Sequence, residues 1–310
     1  MGKLIAKLFL LSAPVIACGV FVLYVDPFNY FRMFKGIPVD RKKEIVYYND
    51  RLFWNMIGYD HAPSPFIIVG DSRADRISSG HLKEKTGRQY QHLSASACKI
   101  NEMADLFWFA RSYTKLESVY IVLNFNQFNL YAFDDRIGGA ETTLKNPLLY
   151  AYNRHVIDTA ILIFKSVFLT RQTPASRQTM DKDGFWAWSL RNWPVQQYGR
   201  WKYPAEGYEK LRKMSDCCHR ENIDLVFIIA PHHADYQKMV DRFNLGEEQK
   251  EFKDDISALS TTYDFDWMNE LTMNRDNFSD PAHVREDVAN RLMDEILTGR
   301  LHYGRLLKNR

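Results

Sequence analysis

PFIIVGDSRADR, residues 65–76, is the stretch of the sequence that decides the fold. Its first half is apolar up to Gly70 and predicts a short, fully buried strand. Residues 71–76 then turn polar, with acidic side chains early, as is typical of the start of a helix. A buried strand that runs directly into a helix start indicates a parallel sheet in an α/β protein.

The alternation of strands and helices continues beyond this stretch. The sequence predicts further strands at residues 91–94, 119–123 and 224–230, and helices at 101–113, 208–221 and 284–297. Strands that alternate with helices predict an α/β fold of three layers, in which helices flank both faces of a parallel sheet. Because ligands bind at the carboxyl ends of such strands, the residues that follow each strand are the candidates for a functional site.

The composition of the 310 residues is that of an ordinary globular chain, long enough for one large domain or two small ones. A net charge of +3 gives no reason to expect nucleic-acid binding. The four cysteines fit no zinc signature, and the three beyond the first apolar stretch do not make a disulfide framework. We therefore expect no metal and no other cofactor.

The first 28 residues predict a cytoplasmic stub and a membrane anchor. Lys3 and Lys7 precede residues 8–25, an uncharged apolar run close to the lower length limit for a spanning helix. Positive charge before the run places the amino terminus in the cytoplasm and the rest of the chain outside. We therefore expect a single-pass transmembrane signal anchor in a bacterial inner membrane. Two alternatives stay open: a cleaved signal peptide, and lipidation at residues 15–18 (VIAC), which resemble a bacterial lipobox.

Four segments follow the anchor in the predicted domain organisation. They are a juxtamembrane segment at 29–64, an α/β domain at 65–300, an insertion within it at about 131–205, and a basic tail at 301–310. The insertion begins with a predicted helix at 146–169 and holds four tryptophans, at positions 186, 188, 193 and 201. These indole rings either stack on sugars or pack the insertion, and the strand-like alternation of 186 and 188 favours packing. The tail is either solvated or lies against anionic lipid.

Three residues after predicted strands or before the last helix have the chemistry of a serine nucleophile and its partners. Ser72 follows the first strand at a helix start, and Asp280 and His283 stand just before the last helix. A serine hydroxyl is a poor nucleophile unless a histidine takes its proton, and the histidine needs an acid to fix its tautomer. An aspartate three residues ahead can meet that need, so we expect a catalytic triad of these three.

A tetrahedral intermediate also needs hydrogen-bond donors for its oxyanion. We expect the backbone amides of Ser72 and Ala97 and the side-chain amide of Asn126 to supply them, because each residue follows a predicted strand. The alternative is structural: Ser72 caps the first helix, and Asp280 and His283 cap the last one.

Three further residues are expected to line the pocket. Arg73, next to Ser72, either orients a substrate carboxylate or sugar or is a helix surface residue without a role. His232 and His233 follow the strongest strand and so border the same cleft. A metal site at these histidines lacks a third ligand with suitable spacing, so pocket lining or helix capping is the preferred interpretation.

The motifs resemble those of the SGNH (GDSL-type) hydrolase superfamily. Gly70-Asp71-Ser72 after a buried strand is similar to its first block, and Asp280-x-x-His283 to its last. Residues 124–127 (NFNQ) resemble the third block, Gly-x-Asn-Asp, and keep only the oxyanion asparagine, Asn126. In the second block, Ala97 stands where the family has a glycine that donates its amide. The resemblance spans residues 66–297 and implies nucleophile, acid, base and oxyanion roles for these positions.

An anchor followed by such a domain resembles envelope proteins that work beside membrane-bound O-acyltransferases. This resemblance implies an O-acyltransferase or O-acetylesterase that modifies an envelope polysaccharide through an acyl-Ser72 intermediate. A membrane-bound O-acyltransferase would be its partner, and the catalytic domain would lie on the periplasmic side. The alternative from another class is a non-catalytic scaffold that binds a glycan or a partner, because Ala97, Asn124 and Gln127 depart from the family blocks.

Overall fold

The structure is a computed structural model that describes residues 2–47, 50–131, 135–169 and 180–307, without the side chains of residues 2–6 and 8–10. Its Cα positions divide the chain into two units. The smaller unit comprises Met1–Gly58 and Gly138–Gln178, and the larger comprises Tyr59–Ile137 and Thr179–Arg310. The segment 131–205, which we expected to be one insertion, is therefore shared between the two units. The sequence also predicts a polar linker at 170–183 in this segment; its residues 170–179 and the last three residues of the expected tail lie outside the described residues.

A mostly parallel six-stranded sheet forms the centre of the larger unit, as in other α/β proteins. The strands are β1 Phe66–Gly70, β2 Gln91–Ser94, β3 Ser118–Leu123, β4 Asp224–Ile229, β5 Thr261–Asp264, and, after the short hairpin of β6 Phe278–Asp280 and β7 His283–Val284, β8 Arg305–Leu307. The order across the sheet is β2-β1-β3-β4-β5-β8, with β8 antiparallel to its neighbour. The crevice of such a doubly wound sheet opens between β1 and β3, where the strand order reverses.

Fourteen α-helices lie within the described part of the chain. They are α1 Gly2–Val25, α2 Val39–Val46, α3 Arg51–His61, α4 Ser79–Thr86, α5 Ile100–Tyr113, α6 Ile137–Leu144, α7 Pro147–Ala151, α8 Arg154–Phe164, α9 Lys182–Tyr198, α10 Ala205–Glu221, α11 Ala234–Arg242, α12 Gly246–Leu259, α13 Glu270–Met273 and α14 Glu286–Thr298. A π-helical turn, Lys165–Leu169, continues α8, and 3₁₀ turns occur at Ala74–Arg76, Phe125–Gln127 and Arg275–Asn277.

Helices cover the sheet on both faces, as the strand–helix alternation predicted. On one face, side chains of β1, β3 and β4 such as Ile68, Val122 and Ile228 pack with α14 through Leu292 and Met293. On the other face, α5 contacts β1 and α10 contacts β4. The strands are consequently buried on both sides, which is why they are continuous apolar runs in the sequence.

Several sequence-based expectations about local structure were wrong or incomplete. The predicted helix at 146–169 is divided, because Asn153 accepts hydrogen bonds from the amides of residues 155 and 156 and so starts α8 as a new helix. The tryptophans at 186 and 188 lie on α9, so their strand-like alternation was misleading. The segment 29–64, for which the sequence predicted no element, contains α2 and α3, and β5, β8, α11 and α12 were not predicted either.

The apolar run at residues 8–25 is helical, as part of α1, and the helix ends at Val25, directly before Asp26-Pro27. Among the described residues, however, no helix has the length and apolar character needed to cross a membrane. The expected transmembrane helix is therefore not supported.

Candidate active site

Ser72, His283 and Asp280 form a continuous hydrogen-bonded chain in the larger unit. The Ser72 Oγ lies 2.6 Å from His283 Nε2, and His283 Nδ1 lies 2.8 and 2.9 Å from the two carboxylate oxygens of Asp280. Ser72 follows β1 at the crevice between β1 and β3, while Asp280 ends β6 and pairs with His283 in β7. The structure therefore brings together the three residues that the sequence suggested as nucleophile, base and acid.

Gly70 explains how the backbone reaches this position. A Cβ atom on this residue would lie 2.6 Å from the carbonyl oxygen of Val122 on β3 and 2.9 Å from the Cβ of Ala74. Both contacts are closer than real Cβ atoms make, so only glycine fits at the end of β1. The close approach of β1 to β3 and to the turn at Ala74 sets where Ser72 leaves the sheet.

The surroundings of Asp280 keep its carboxyl group ionised. Burial alone would raise the pKa of Asp280, but the nearby His283, its hydrogen bond and the amide of Ala282 outweigh burial and lower it. Because the carboxylate only accepts hydrogen bonds, His283 Nδ1 must carry a proton. In the neutral ring, Nε2 is then the acceptor, and the hydroxyl of Ser72 donates to it.

Ala97 and Asn126 stand beside Ser72 as the expected oxyanion donors, and all three line one cavity. Ala97 has a φ of 51°, in the left-handed region that glycine favours. The alanine thus adopts a glycine-like backbone at this position. The amide oxygen of Asn126 accepts a hydrogen bond from Arg73 Nη1 at 3.0 Å. Because Oδ1 of Asn126 accepts this bond, the amide orientation is defined and Nδ2 remains available as a donor.

Arg73 is buried, and its side chain is bound inside the protein rather than lying on a helix surface as one interpretation expected. Its Nη2 and Nε donate to the two oxygens of Asp71 at 2.7 and 3.1 Å. Its Nη1 donates to Asn126 and, at 2.8 Å, to His232 Nε2. Burial would lower the pKa of Arg73, but the Asp71 carboxylate outweighs it, and Arg73 likewise lowers the pKa of Asp71 against its burial. The guanidinium is a structural cation beneath the site.

A hydrogen-bonded row continues from Arg73 along the carboxyl edge of the sheet. His232, after β4, accepts from Arg73, and its Nδ1 lies 3.3 Å from Asp266, after β5. Burial lowers the pKa of His232, which favours the neutral ring that can accept from Arg73. Burial acts to raise the pKa of Asp266, but His232 and Lys253 lower it below its usual range. The sequence did not reveal Asp266 because β5 itself was not predicted.

The two departures in the NFNQ segment have structural roles. Gln127 donates to Asp71 at 3.1 Å and to the carbonyl of Cys98 at 2.6 Å, and its own oxygen accepts from the backbone amide of Asn124. The side chain of Asn124 donates to Asp266 and to the carbonyl of Ala230. These residues join the turns after β1, β2, β3, β4 and β5 into one buried polar layer.

A cavity of about 260 Å³ opens above the triad. Its lining includes Arg73 from the expected set but not His232 or His233, and for His233 the structure shows helix capping, the other interpretation that the sequence offered. His232 binds Arg73 and Asp266 in the buried hydrogen-bonded row, and His233 caps α11 and packs against Trp186. Sequence reasoning did not find several lining residues, namely Asp71, Lys99, Gln127, Gln196, Gln197 and Ala282. Trp193, which it considered for sugar stacking, also lines the cavity and lies edge-to-face against His283.

Within the described ranges, no three histidine, cysteine, aspartate or glutamate side chains cluster as the ligands of a metal ion would. His232 Nε2 already faces the Arg73 cation, so the pair His232-His233 is not arranged to hold one.

No family model matches this chain, and no curated protein matches it either. A solved structure from Streptococcus pneumonia, described as a "putative platelet activating factor", is similar over 80% of this chain and 91% of its own. The TM-score is 0.41 and the sequence identity 9%. This similarity is too low to carry a functional argument, which therefore rests on the site.

Proposed function

We propose that this protein is a serine acyl-transfer enzyme of the SGNH type that works through an acyl-Ser72 intermediate. The observation that carries the proposal is the chain from Ser72 Oγ to His283 Nε2 at 2.6 Å and from His283 Nδ1 to Asp280 at 2.8 Å. It lies at the crevice of a doubly wound sheet and opens into a cavity. Helix capping alone would not require the serine and histidine, 211 positions apart in sequence, to meet at this distance.

The geometry supports a two-stage mechanism. As Ser72 Oγ forms a bond to the acyl carbonyl carbon, its proton moves to His283 Nε2, and Asp280 stabilises the imidazolium. The carbonyl oxygen becomes an oxyanion, for which Asn126 and the backbone amides of Ser72 and Ala97 are the proposed donors. When the intermediate collapses, the ester C–O bond breaks and the leaving alkoxide takes the proton from His283.

The second stage repeats the first with a new nucleophile. An acceptor hydroxyl attacks the acyl-Ser72 carbonyl and gives its proton to His283, and Ser72 leaves with that proton restored. With a sugar hydroxyl as acceptor the protein is an O-acyltransferase, and with water it is an O-acetylesterase. The proposed substrate is an acylated polysaccharide of the cell envelope.

The cellular setting that we propose follows from the sequence. Lys3 and Lys7 before the apolar run at 8–25 favour an extracytoplasmic location of the catalytic domain at a bacterial inner membrane. By resemblance to acylation systems of that compartment, a membrane-bound O-acyltransferase is the proposed partner. Neither element is needed for the chemistry at Ser72, so the site can be tested separately.

Labelling of the full-length protein with a fluorophosphonate probe tests the activated serine. We expect wild type to be labelled, Ser72→Ala not to be labelled, and His283→Ala to lose labelling by about 10⁴-fold or more, because a triad acts as a unit. His81→Ala is the matched control, since His81 pairs with Asp294 away from the cavity at a similar 2.8 Å. Absence of wild-type labelling in folded protein would overturn the enzyme proposal and favour the non-catalytic scaffold.

A further inference from the structure

Lys99 brings a positive charge to the cavity that holds Ser72 and His283. It lies in the turn between β2 and α5, two residues after Ala97, and starts α5. Its side chain is partly buried, and burial lowers its pKa while Asp71 and Glu102 act in the opposite direction.

Asp71 and Glu102, the two acids that act to raise the pKa of Lys99, are both paired with other cations. Both oxygens of Glu102 accept from Arg136, at 2.8 and 2.7 Å, and both oxygens of Asp71 accept from Arg73. In the ranges of the chain that the structure describes, no carboxylate is within ion-pair distance of the Lys99 ammonium. A partly buried cation without a counterion is unfavourable, and an anion that enters the cavity would relieve that cost.

Arg73, the other cation of the cavity, is not available to a ligand in the same way. Its three nitrogens already donate to four acceptors of the protein: the two oxygens of Asp71, Asn126 Oδ1 and His232 Nε2. The rest of the rim offers uncharged partners, the amides of Gln196 and Gln197 and the indole of Trp193. Lys99 is therefore the cation that remains for a substrate.

We propose that Lys99 forms an anion subsite beside Ser72, and that the ester substrate carries a carboxylate that binds there. This inference rests on the proposed acyl-transfer function. The carboxylate belongs either to the sugar, as in a uronic acid, or to the acyl chain, as in a dicarboxylic acid monoester. Lys99 acts as a specificity-determining residue that selects charged over neutral esters and takes no part in proton transfer.

Two matched substrate pairs separate the sources of the carboxylate. The sugar pair is the methyl glycosides of glucuronic acid and glucose, acetylated at the same hydroxyl. The acyl pair is 4-nitrophenyl monoadipate and 4-nitrophenyl hexanoate, which has the same carbon chain without the carboxylate. For whichever pair the subsite serves, we expect Lys99→Gln to lower kcat/KM on the charged ester about 10-fold, the effect of losing one charge-assisted hydrogen bond, without change on the neutral ester. Lys99→Arg should restore most of the preference.

Lys85→Gln, which removes an exposed lysine on α4, is the control for net charge. If Lys99→Gln affects charged and neutral esters equally in both pairs, Lys99 is not an anion subsite.

Binding separates this failure from failure of the proposed function. Two full-length proteins are compared, Ser72→Ala and the double variant Ser72→Ala/Lys99→Gln. Each is titrated with the acetylated methyl glucuronoside, with the acetylated methyl glucoside and with 4-nitrophenyl monoadipate. Loss of binding of a charged ligand on Lys99→Gln supports the subsite even if no ester is turned over. Binding of the charged ligands that is no tighter than that of the glucoside, or that Lys99→Gln leaves unchanged, overturns it.

Discussion

The buried Asp71–Arg73 ion pair makes a specific prediction about Arg73→Met. The substitution replaces arginine by an unbranched side chain similar to its aliphatic part, and it removes the cation that binds both oxygens of Asp71. Asp71 is only 5% exposed, and without the Arg73 side chain its remaining donors in the described part of the chain are Gln127 and the backbone amide of residue 73. Breaking a buried pair by removing one partner costs about 3–5 kcal/mol, because a charge is left buried and uncompensated. We expect a loss of that size in the larger unit.

Hydrogen exchange at the amides of β1 and β3 measures this loss directly, because two units of one chain need not unfold in a single transition. A destabilisation of 3–5 kcal/mol corresponds to protection that falls by about 10²–10³-fold or more at these strands. Arg212→Met is the control, since Arg212 forms exposed pairs with Glu209 and Asp216, whose value is about 0–1 kcal/mol. Protection in Arg73→Met within about tenfold of wild type would refute the reasoning.

The double variant Asp71→Asn/Arg73→Met separates stability from function. Replacing both members removes the uncompensated charge, so most of the lost protection should return. Asn126 and His232 still lose the donor that holds them, so the amide of Asn126 is free to turn. Loss of one oxyanion donor costs about 10²–10³-fold in kcat, and we expect this defect to remain in the double variant. Full recovery of both properties would show that Arg73 does not position Asn126.

Three further predictions follow from single residues. Ala97→Gly should stabilise the larger unit by about 0.5–1 kcal/mol, measured as exchange protection about 2–5-fold higher at β2, because the strain of the left-handed backbone at alanine outweighs the greater freedom that glycine gives the unfolded chain; lower protection would contradict this. The exchange protection of the larger unit should fall as pH drops below about 6.5, because the unfolded chain binds a proton at His232 that the folded chain, with its lowered pKa, does not. It should fall further below about pH 4, where Asp71 and Asp280, whose pKa values are lowered by folding, lose their contribution; a flat profile over both windows would contradict this assignment. Burial raises the pKa of Cys98 well above its usual value, so iodoacetamide should alkylate it only after unfolding, and equal rates in native and denatured protein would show that it is accessible.

The strands around the active site could be predicted from the sequence, because each is an apolar run bounded by polar turns. β1 to β4 all begin and end within one residue of the predicted bounds. β5 is the exception among the parallel strands. Its four residues, TTYD at 261–264, contain no aliphatic side chain, and neither the run nor the alternation that marks a strand is present. The pairing of β5 with β4 holds it in the sheet, and pairing between distant segments leaves no local signal.

The candidate triad was predictable for a related reason. Ser72 and His283 were found because parallel strands bring their carboxyl ends to one edge, so position after a strand or before the last helix was informative. The same rule would have found Asp266, had β5 been recognised. It could not have shown that Trp193 reaches the cavity, because α9 arrives there from a segment without strands.

The choice between Arg73 and Lys99 shows what this rule leaves undecided. Both are basic residues that follow a strand within a few positions, and in the sequence Arg73, adjacent to Ser72, was the more obvious partner for a substrate carboxylate. Their roles depend on residues far away in the chain. Arg73 also binds Asn126 and His232, whereas Glu102, an acid near Lys99 in sequence, pairs with Arg136. A charged side chain in a site can bind a ligand only if no other group of the protein already pairs with it. Which side chains are paired is a property of the tertiary structure. Arg73, the basic residue nearest to the nucleophile in sequence, therefore supports the site from beneath, while Lys99, 26 positions later, remains to face the substrate.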